Sequence, residues 1–136
     1  MIKRVLFVIW FYICLALLAS QVMAETYWVD GTNGNDVLNG CNASVSQLTN
    51  TAKRTIQAGI ACVVANRGDI ININAGTYTS SADRLNSAFV SIPSGTSWET
   101  ALTIRGTAGE TVIMRPTHGG THIGFQNVRY VILENF

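Results

Sequence analysis

The chain has 136 residues, of which 48% are hydrophobic and 12% charged, and its formal net charge is +1 at pH 7. This length suits one small domain with a modest core. A near-neutral charge without a basic cluster argues against a nucleic-acid-binding protein.

The first 24 residues are predicted to be a secretory signal peptide. Two basic residues at positions 3 and 4 precede an apolar run over residues 5–18, and Val22 and Ala24 suit the positions before a cleavage site. The apolar run is shorter than the roughly 20 residues of a membrane-spanning helix. We therefore expect residues 25–136 to be exported, to the extracellular space, the periplasm or the cell surface, without a stable membrane span.

The exported segment opens with a predicted strand at Thr26–Val29, because β-favouring residues are followed by Asp30 and a loop rich in glycine and asparagine. Two cysteines, Cys41 and Cys62, remain in this segment. An even pair in an exported protein most simply forms a disulfide, and two unpaired buried thiols are the alternative. Asn42 opens an N-glycosylation sequon, which matters only in a eukaryotic host.

A helix is predicted from Thr55, a suitable N-cap, to Gly68, a suitable stop. Four apolar residues at i, i+4, i+7 and i+8 share one side of this helix: Ile56, Ile60, Val63 and Val64. Cys62 projects away from the centre of this apolar side, so it can reach the outer loop that carries Cys41.

Short β segments without a second helix are predicted after this point, at residues 69–75, 88–92, 101–105, 111–115, 122–126 and 130–133. Several of them alternate apolar and polar residues, as strands with one buried face do. Three short strands per turn are typical of a solenoid, in which each rung buries its apolar face by stacking on the next. A compact β-sandwich is the alternative.

Several segments occur in an order that resembles the N-terminal end of secreted right-handed parallel β-helix proteins of the pectin-lyase-like group: Tyr27–Gly31, Arg54–Gln57, Gly68–Ile71, Ala75–Tyr78, Ile92–Trp98, Leu102–Arg105 and Gly109–Val112. The resemblance covers nearly all of residues 25–136. It implies an all-β, right-handed parallel β-helix with a short amphipathic helix capping the first rung, which ends in a Gly-Thr-Tyr turn at Gly76–Tyr78.

The resemblance also implies a function. Members that cleave acidic polysaccharides by β-elimination use a basic residue as the proton acceptor, often with calcium neutralising the uronate carboxylate. Those residues lie on later rungs, so no catalytic residue is assigned here. The strand-like run at Tyr130–Phe136 carries no polar cap, and we expect the chain to be the N-terminal part of such a lyase or glycoside hydrolase. A non-catalytic extracellular β-helix that binds glycans or protein partners is the alternative.

Three sets of polar residues are candidates for a site. Arg105, Arg115 and Arg129 are available cations, although an arginine after a short β segment usually faces solvent or a corner. The loop residues Asp30, Asn33, Asn35 and Asp36 offer oxygen ligands for calcium, but their order favours Asx-rich turns. His118 and His122 have a zinc-compatible spacing, but the glycines between them favour a polar loop.

Overall fold

The computed structural model describes residues 23–44, 51–115 and 121–136, so the predicted signal peptide lies outside the described residues except for its last two positions. Strands predominate, in agreement with the predicted all-β class: β1 (Thr26–Val29), β2 (Ile70–Ile73), β3 (Gly76–Tyr78), β4 (Leu85–Asn86), β5 (Leu102–Gly106), β6 (Val112–Met114), β7 (Ile123–Gly124) and β8 (Val131–Glu134). Helical structure in these described ranges is limited to α1 (Ile56–Ile60) and two 3₁₀ helices, Ser81–Asp83 and Trp98–Thr100.

In the part of the chain that the structure describes, the strands form three parallel sheets. The first sheet has the order β1-β2-β5-β8, the second pairs β3 with β6, and the third pairs β4 with β7. From β2 onward the chain visits the first, second and third sheets in turn, and then repeats this order from β5. Every named pairing is parallel, so each strand lies beside its equivalent from the preceding visit.

The core lies between the sheets and is built by alternation along the strands. In β5, Leu102 and Ile104 are buried while Thr103 and Arg105 are partly exposed. Pairing extends this pattern to neighbouring strands, because Ile71 lies opposite both Tyr27 and Ile104. The buried cluster is largely aliphatic and comprises Val29, Ile56, Ile60, Ile71, Ile73, Tyr78, Leu85, Ile92, Leu102, Ile104 and Val112. Each such side chain contributes about 1.5–3 kcal/mol through burial.

The edge of β1 opposite β2 is covered by two loop segments. The backbone N–H of Ser44 donates to the Thr26 carbonyl at 2.9 Å, and that of Lys53 donates to the Trp28 carbonyl at 2.8 Å. The Asp30 N–H returns a bond to the Lys53 carbonyl at 2.8 Å. These bonds occupy groups that would otherwise offer a template for pairing with another chain.

Helix α1 begins as predicted but is shorter. Thr55 is its N-cap, and Ile56 and Ile60 are fully buried. The predicted continuation of the helix to Gly68 is wrong. The backbone hydrogen bonds that follow the helix and its C-cap are of the tighter i→i−3 type, and the N–H of Val64 donates to the Asp69 carboxylate at 2.9 Å instead of to a helix carbonyl. Val64 therefore leaves the predicted apolar side and is 50% exposed, whereas Val63 stays packed against the core.

Two strand predictions also need correction. Residues 88–92 form no strand, because the Asn86 carbonyl accepts from the N–H groups of Phe89 and Val90 and turns the chain. The strand that this part of the chain adds to the third sheet is the two-residue β4, which is too short to show alternation. Residues 76–78, predicted as a turn, form β3. The other predicted β segments each overlap an observed strand.

A disulfide joins Cys41 to Cys62, the pair predicted from the sequence, with 5.2 Å between the Cα atoms. It ties the loop after β1 to the segment that follows α1. We expect the double substitution Cys41→Ser/Cys62→Ser to lower the free energy of unfolding by about 3 kcal/mol, because the bond restricts a loop of 21 residues in the unfolded chain. Urea unfolding measures the loss. Titration of two free thiols from Cys41 and Cys62 in the denatured, unreduced protein would contradict the bond.

The contact between α1 and β1 is close enough to require glycine at position 59. A Cβ atom there would lie 2.6 Å from Cγ2 of Val29, which is fully buried. We expect Gly59→Ala to lower the melting temperature by a few degrees, since overpacking costs about 1–3 kcal/mol against a helix-propensity gain of at most about 1 kcal/mol. Gly40→Ala is the control, because a Cβ there meets only the Asn42 side chain at ordinary distance. Equal thermal unfolding of the two variants by circular dichroism would contradict this packing.

Candidate functional site

The outer face of the first sheet carries a groove of about 230 Å³, here called the outer groove. Its lining consists of Trp28, Asn72, Arg105, Gly106, Thr107, Ala108 and Asn135. Trp28 pairs with Asn72, and Asn72 pairs with Arg105, so these three residues lie at one level on adjacent strands. Neighbouring strands are about 4.8 Å apart, which places an aromatic ring, an amide and a guanidinium in one short row.

Hydrogen bonds hold this row in place. The indole Nε1 of Trp28 donates to the Ser44 carbonyl at 3.0 Å. Nε of Arg105 donates to Oδ1 of Asn72 at 2.6 Å, which fixes the plane of the guanidinium across two strands. The Thr107 hydroxyl donates to the Ile73 carbonyl at 3.2 Å and fixes one wall of the groove.

The groove combines chemical groups that suit an oxygen-rich anionic ligand. A guanidinium has five N–H donors, and the bond to Asn72 uses one of those of Arg105. Its planar fork matches a carboxylate in a bidentate arrangement. Trp28 adds an aromatic face and Asn135 an amide. Glu134 lies opposite Arg105 on β8 and is exposed, so a carboxylate of the protein adjoins the guanidinium on its β8 side.

The structure separates the three candidate arginines. Arg105 is part of the outer groove, whereas Arg115 and Arg129 are exposed in other places. The backbone N–H of Arg115 donates to the Tyr78 carbonyl, and that of Arg129 donates to the Ser94 hydroxyl. Sequence reasoning did not select Trp28 or Asn72. The pattern that could have selected them is the alternation along their strands, which places these polar or amphipathic side chains at outward positions.

The loop candidates for calcium form hydrogen bonds within the fold. The Asp30 carboxylate accepts from the N–H groups of Thr32 and Asn33, both at 2.9 Å, and from the Asn74 amide at 3.3 Å. Asn33 donates its backbone and side-chain N–H groups to Asp30. Asn35 accepts from Val37 and Leu38, and Asp36 accepts from Arg54 and Thr55. In the ranges that the structure describes, no group of three or more acidic, histidine or cysteine residues could hold a metal ion.

The histidine pair cannot be assembled from the described residues, since His118 lies outside them. His122 is buried, and neither of its ring nitrogens has a hydrogen-bond partner among the residues that the structure describes. The zinc alternative therefore gains no support.

A second cleft of about 300 Å³ lies between the loop after β1 and strand β3, with Tyr78 in its wall. Burial raises the pKa of Tyr78 to about 12. Its hydroxyl donates to the Asn74 carbonyl at 3.0 Å and accepts from the Gly31 N–H at 3.3 Å, so it links two turns of the chain. Asp83 in the same wall accepts from Ser80 and from the first N–H of α1. These groups are committed to internal bonds, and the smaller outer groove is the better candidate.

A charged cluster near the start of the first sheet is also internal. Arg67 contacts Asp69 at 2.5 Å, Tyr27 at 2.6 Å and Glu25 at 2.9 Å. The Asp69 side chain is fully buried and also accepts the N–H groups of Glu25 and Val64. Breaking such a buried network leaves an uncompensated charge, so these residues anchor β1 and β2 instead of forming a binding site.

Comparisons with protein-family models, with curated proteins and with solved structures give no match for this chain. Among the described residues, no helix has the length and apolar character that crossing a membrane requires. The role of the outer groove must therefore be argued from its own residues.

The hydrogen bonds to Asp30 predict a pH-dependent stability. Burial alone would raise the pKa of Asp30, but bonds from Asn33, Thr32 and Asn74 outweigh it and lower the pKa below its usual value. The stabilisation is therefore present above the unfolded-state pKa of about 3.9 and is lost as the pH falls through the lower folded-state value. We expect Asp30→Asn to cost about 1–3 kcal/mol at pH 7, because its amide would face two other amide donors.

Urea unfolding at pH 7 and in acid measures this effect. The variant should lose less stability between pH 5 and pH 2, approximately the range over which a paired carboxylate of low pKa becomes protonated, than the wild type does. Parallel pH profiles of the two proteins would contradict the role given to the Asp30 carboxylate.

Proposed function

We propose that the protein is an exported right-handed parallel β-helix, similar to the pectin-lyase-like group, and that it acts on acidic polysaccharide by binding it in the outer groove. The chain passes through three parallel sheets in a repeated order, which supports the architecture. Helix α1, which packs against the first two strands of the first sheet, supports it as well. The disulfide and the predicted signal peptide support export.

The observation that carries the proposal is the row of Trp28, Asn72 and Arg105 on the outward side of the first sheet. A uronate unit has an apolar C–H face on its ring, a carboxylate at one end, and hydroxyls around its rim. The indole suits the ring face, the guanidinium suits the carboxylate, and the amides suit the hydroxyls. An open groove on a long sheet also accommodates a polymer, which continues beyond the contacted unit in both directions.

The role that Arg105 supports is neutralisation of the carboxylate, since a guanidinium stays protonated at neutral pH. This role serves a binding protein directly. It also favours β-elimination as a second candidate activity, in which a separate basic residue would take the proton α to the carboxylate, the glycosidic C–O bond at the β carbon would break, and the neutralised carboxylate would stabilise the developing negative charge. The two candidates share the groove and differ in whether a product appears.

Titration calorimetry with pectate, alginate and chondroitin tests the proposal. We expect at least one of them to bind, and Arg105→Gln to weaken that binding by roughly 10-fold or more, since a hydrogen bond between charged groups contributes about 1.5–3 kcal/mol. Arg115→Gln is the matched control, because Arg115 is exposed outside the groove. Equal effects of the two substitutions, or no binding of any of these polymers, would contradict the proposal.

The same incubations distinguish the two activities. Unsaturated chain ends in the wild-type mixture and none with Arg105→Gln would establish a lyase. Tight binding with unchanged polymer length would show that residues 25–136 bind the polysaccharide without cleaving it.

A further inference from the structure

Among the described residues, Trp98 has the largest exposed fraction of any aromatic side chain, 66%. It opens the 3₁₀ helix Trp98–Thr100, which leads directly into β5, the strand that carries Arg105. Exposing so large an apolar surface forgoes the stabilisation that burial would provide. An aromatic group held in solvent by a rigid support is therefore a candidate for contact with a ligand.

Trp98 is held in place from two sides. Its ring meets that of Tyr130 edge to face, with centroids 5.2 Å apart and an interplanar angle of 86°. The turn before it is closed by the Thr100 hydroxyl, which accepts from the N–H groups of Thr96 and Ser97, both at 3.2 Å. Because the backbone and the ring are both restrained, little conformational entropy would be lost when a ligand binds.

Tyr130 has an unusual backbone conformation, with a φ of +53°. Aromatic residues rarely adopt this left-handed region, and such strain persists where the surrounding structure requires it. The Tyr130 carbonyl accepts the N–H of Leu102 at 3.1 Å, so the residue is fixed to the start of β5. The strained backbone thus presents the Tyr130 ring against Trp98.

We propose that the ring of Trp98, braced edge to face by Tyr130, forms a stacking platform for a pyranose ring of the polysaccharide, a second subsite that rests on the function proposed for the outer groove. The C–H face of a sugar ring packs on an aromatic face, where the ring carries partial negative charge. Glu99 and Arg129 adjoin the two rings in sequence and are exposed, so both can bond to sugar hydroxyls.

A polymer long enough to span both subsites would occupy the platform and the outer groove together. Leu102 and Arg105 are three strand residues apart, about 10 Å, and Trp98 lies before that strand begins. A polymer running along β5 would meet the carboxylate-binding group first and the stacking pair further on. A disaccharide held at Arg105 would be too short to reach Trp98.

The indole N–H signals of Trp28 and Trp98 in a ¹⁵N–¹H NMR spectrum report the two subsites separately, and the substitutions Trp28→Phe and Trp98→Phe assign them. The probes are oligogalacturonates, with a disaccharide compared with a hexasaccharide. We expect the hexasaccharide to shift both signals and the disaccharide to shift that of Trp28 alone. Trp98→Ala should weaken hexasaccharide binding about 5- to 10-fold, as loss of one aromatic contact does. Phe89→Ala, at another exposed aromatic residue, should have no effect.

The outcomes separate the two proposals. Hexasaccharide binding that leaves the Trp98 signal and the affinity of Trp98→Ala unchanged would overturn the platform but not the groove. A hexasaccharide that shifts the Trp98 signal of the wild-type protein, with no response at Trp28, would overturn the groove and support the platform. A Trp98 signal that moves with protein concentration and not with sugar would overturn the platform in favour of self-association.

Discussion

The parallel register of the first sheet is the constraint on which the core and the outer groove both depend. Tyr27, Ile71 and Ile104 lie in line on its inner side, and Trp28, Asn72 and Arg105 lie in line on its outer side. Because side chains alternate along a strand, a slip of one residue would exchange these two sets. Arg105 would then lose its place beside Asn72, and two isoleucines would face solvent. The apolar burial that stabilises the fold therefore also sets the arrangement of the groove.

Polar side chains around the first turn of the chain protect this register. Asp36 joins the loop after β1 to the start of α1, where it accepts the Thr55 N–H at 3.1 Å and the Thr55 hydroxyl at 2.9 Å. The buried Lys53 ammonium donates to the carbonyls of Asp36 and Asn39. Together with the disulfide, these contacts fix the loop that covers the edge of β1. A domain of this size has a modest core, so such local ties contribute a large share of its stability.

Much of this architecture could be predicted from local sequence patterns. The alternation in Ile71, Asn72 and Ile73 predicted a strand with one buried face, and Thr55 predicted the start of the helix. The pattern could not predict where α1 ends, because the apolar period continues to Val64 while a carboxylate five residues later takes its N–H. Strands β3 and β4 are too short, at three and two residues, to produce a pattern of their own.

The outer groove was harder to predict than the fold for a similar reason. Trp28, Asn72 and Arg105 are far apart in the sequence and meet only through non-local strand pairing, which local patterns do not specify. Arg105 could be proposed as an available cation, but its orientation depends on an amide in the preceding strand. The disulfide was easier to predict, because only two cysteines remain after the predicted signal peptide.

The register itself can be measured directly by interstrand nuclear Overhauser effects in the isotope-labelled protein. We expect contacts that connect Tyr27 to Ile71 and Ile71 to Ile104 in a parallel pattern, with the Arg105 Nε proton close to the Asn72 side chain. Two results would contradict this register. One is that Thr103 or Arg105, instead of Ile104, is the direct partner of Ile71; the other is an antiparallel pattern between β2 and β5.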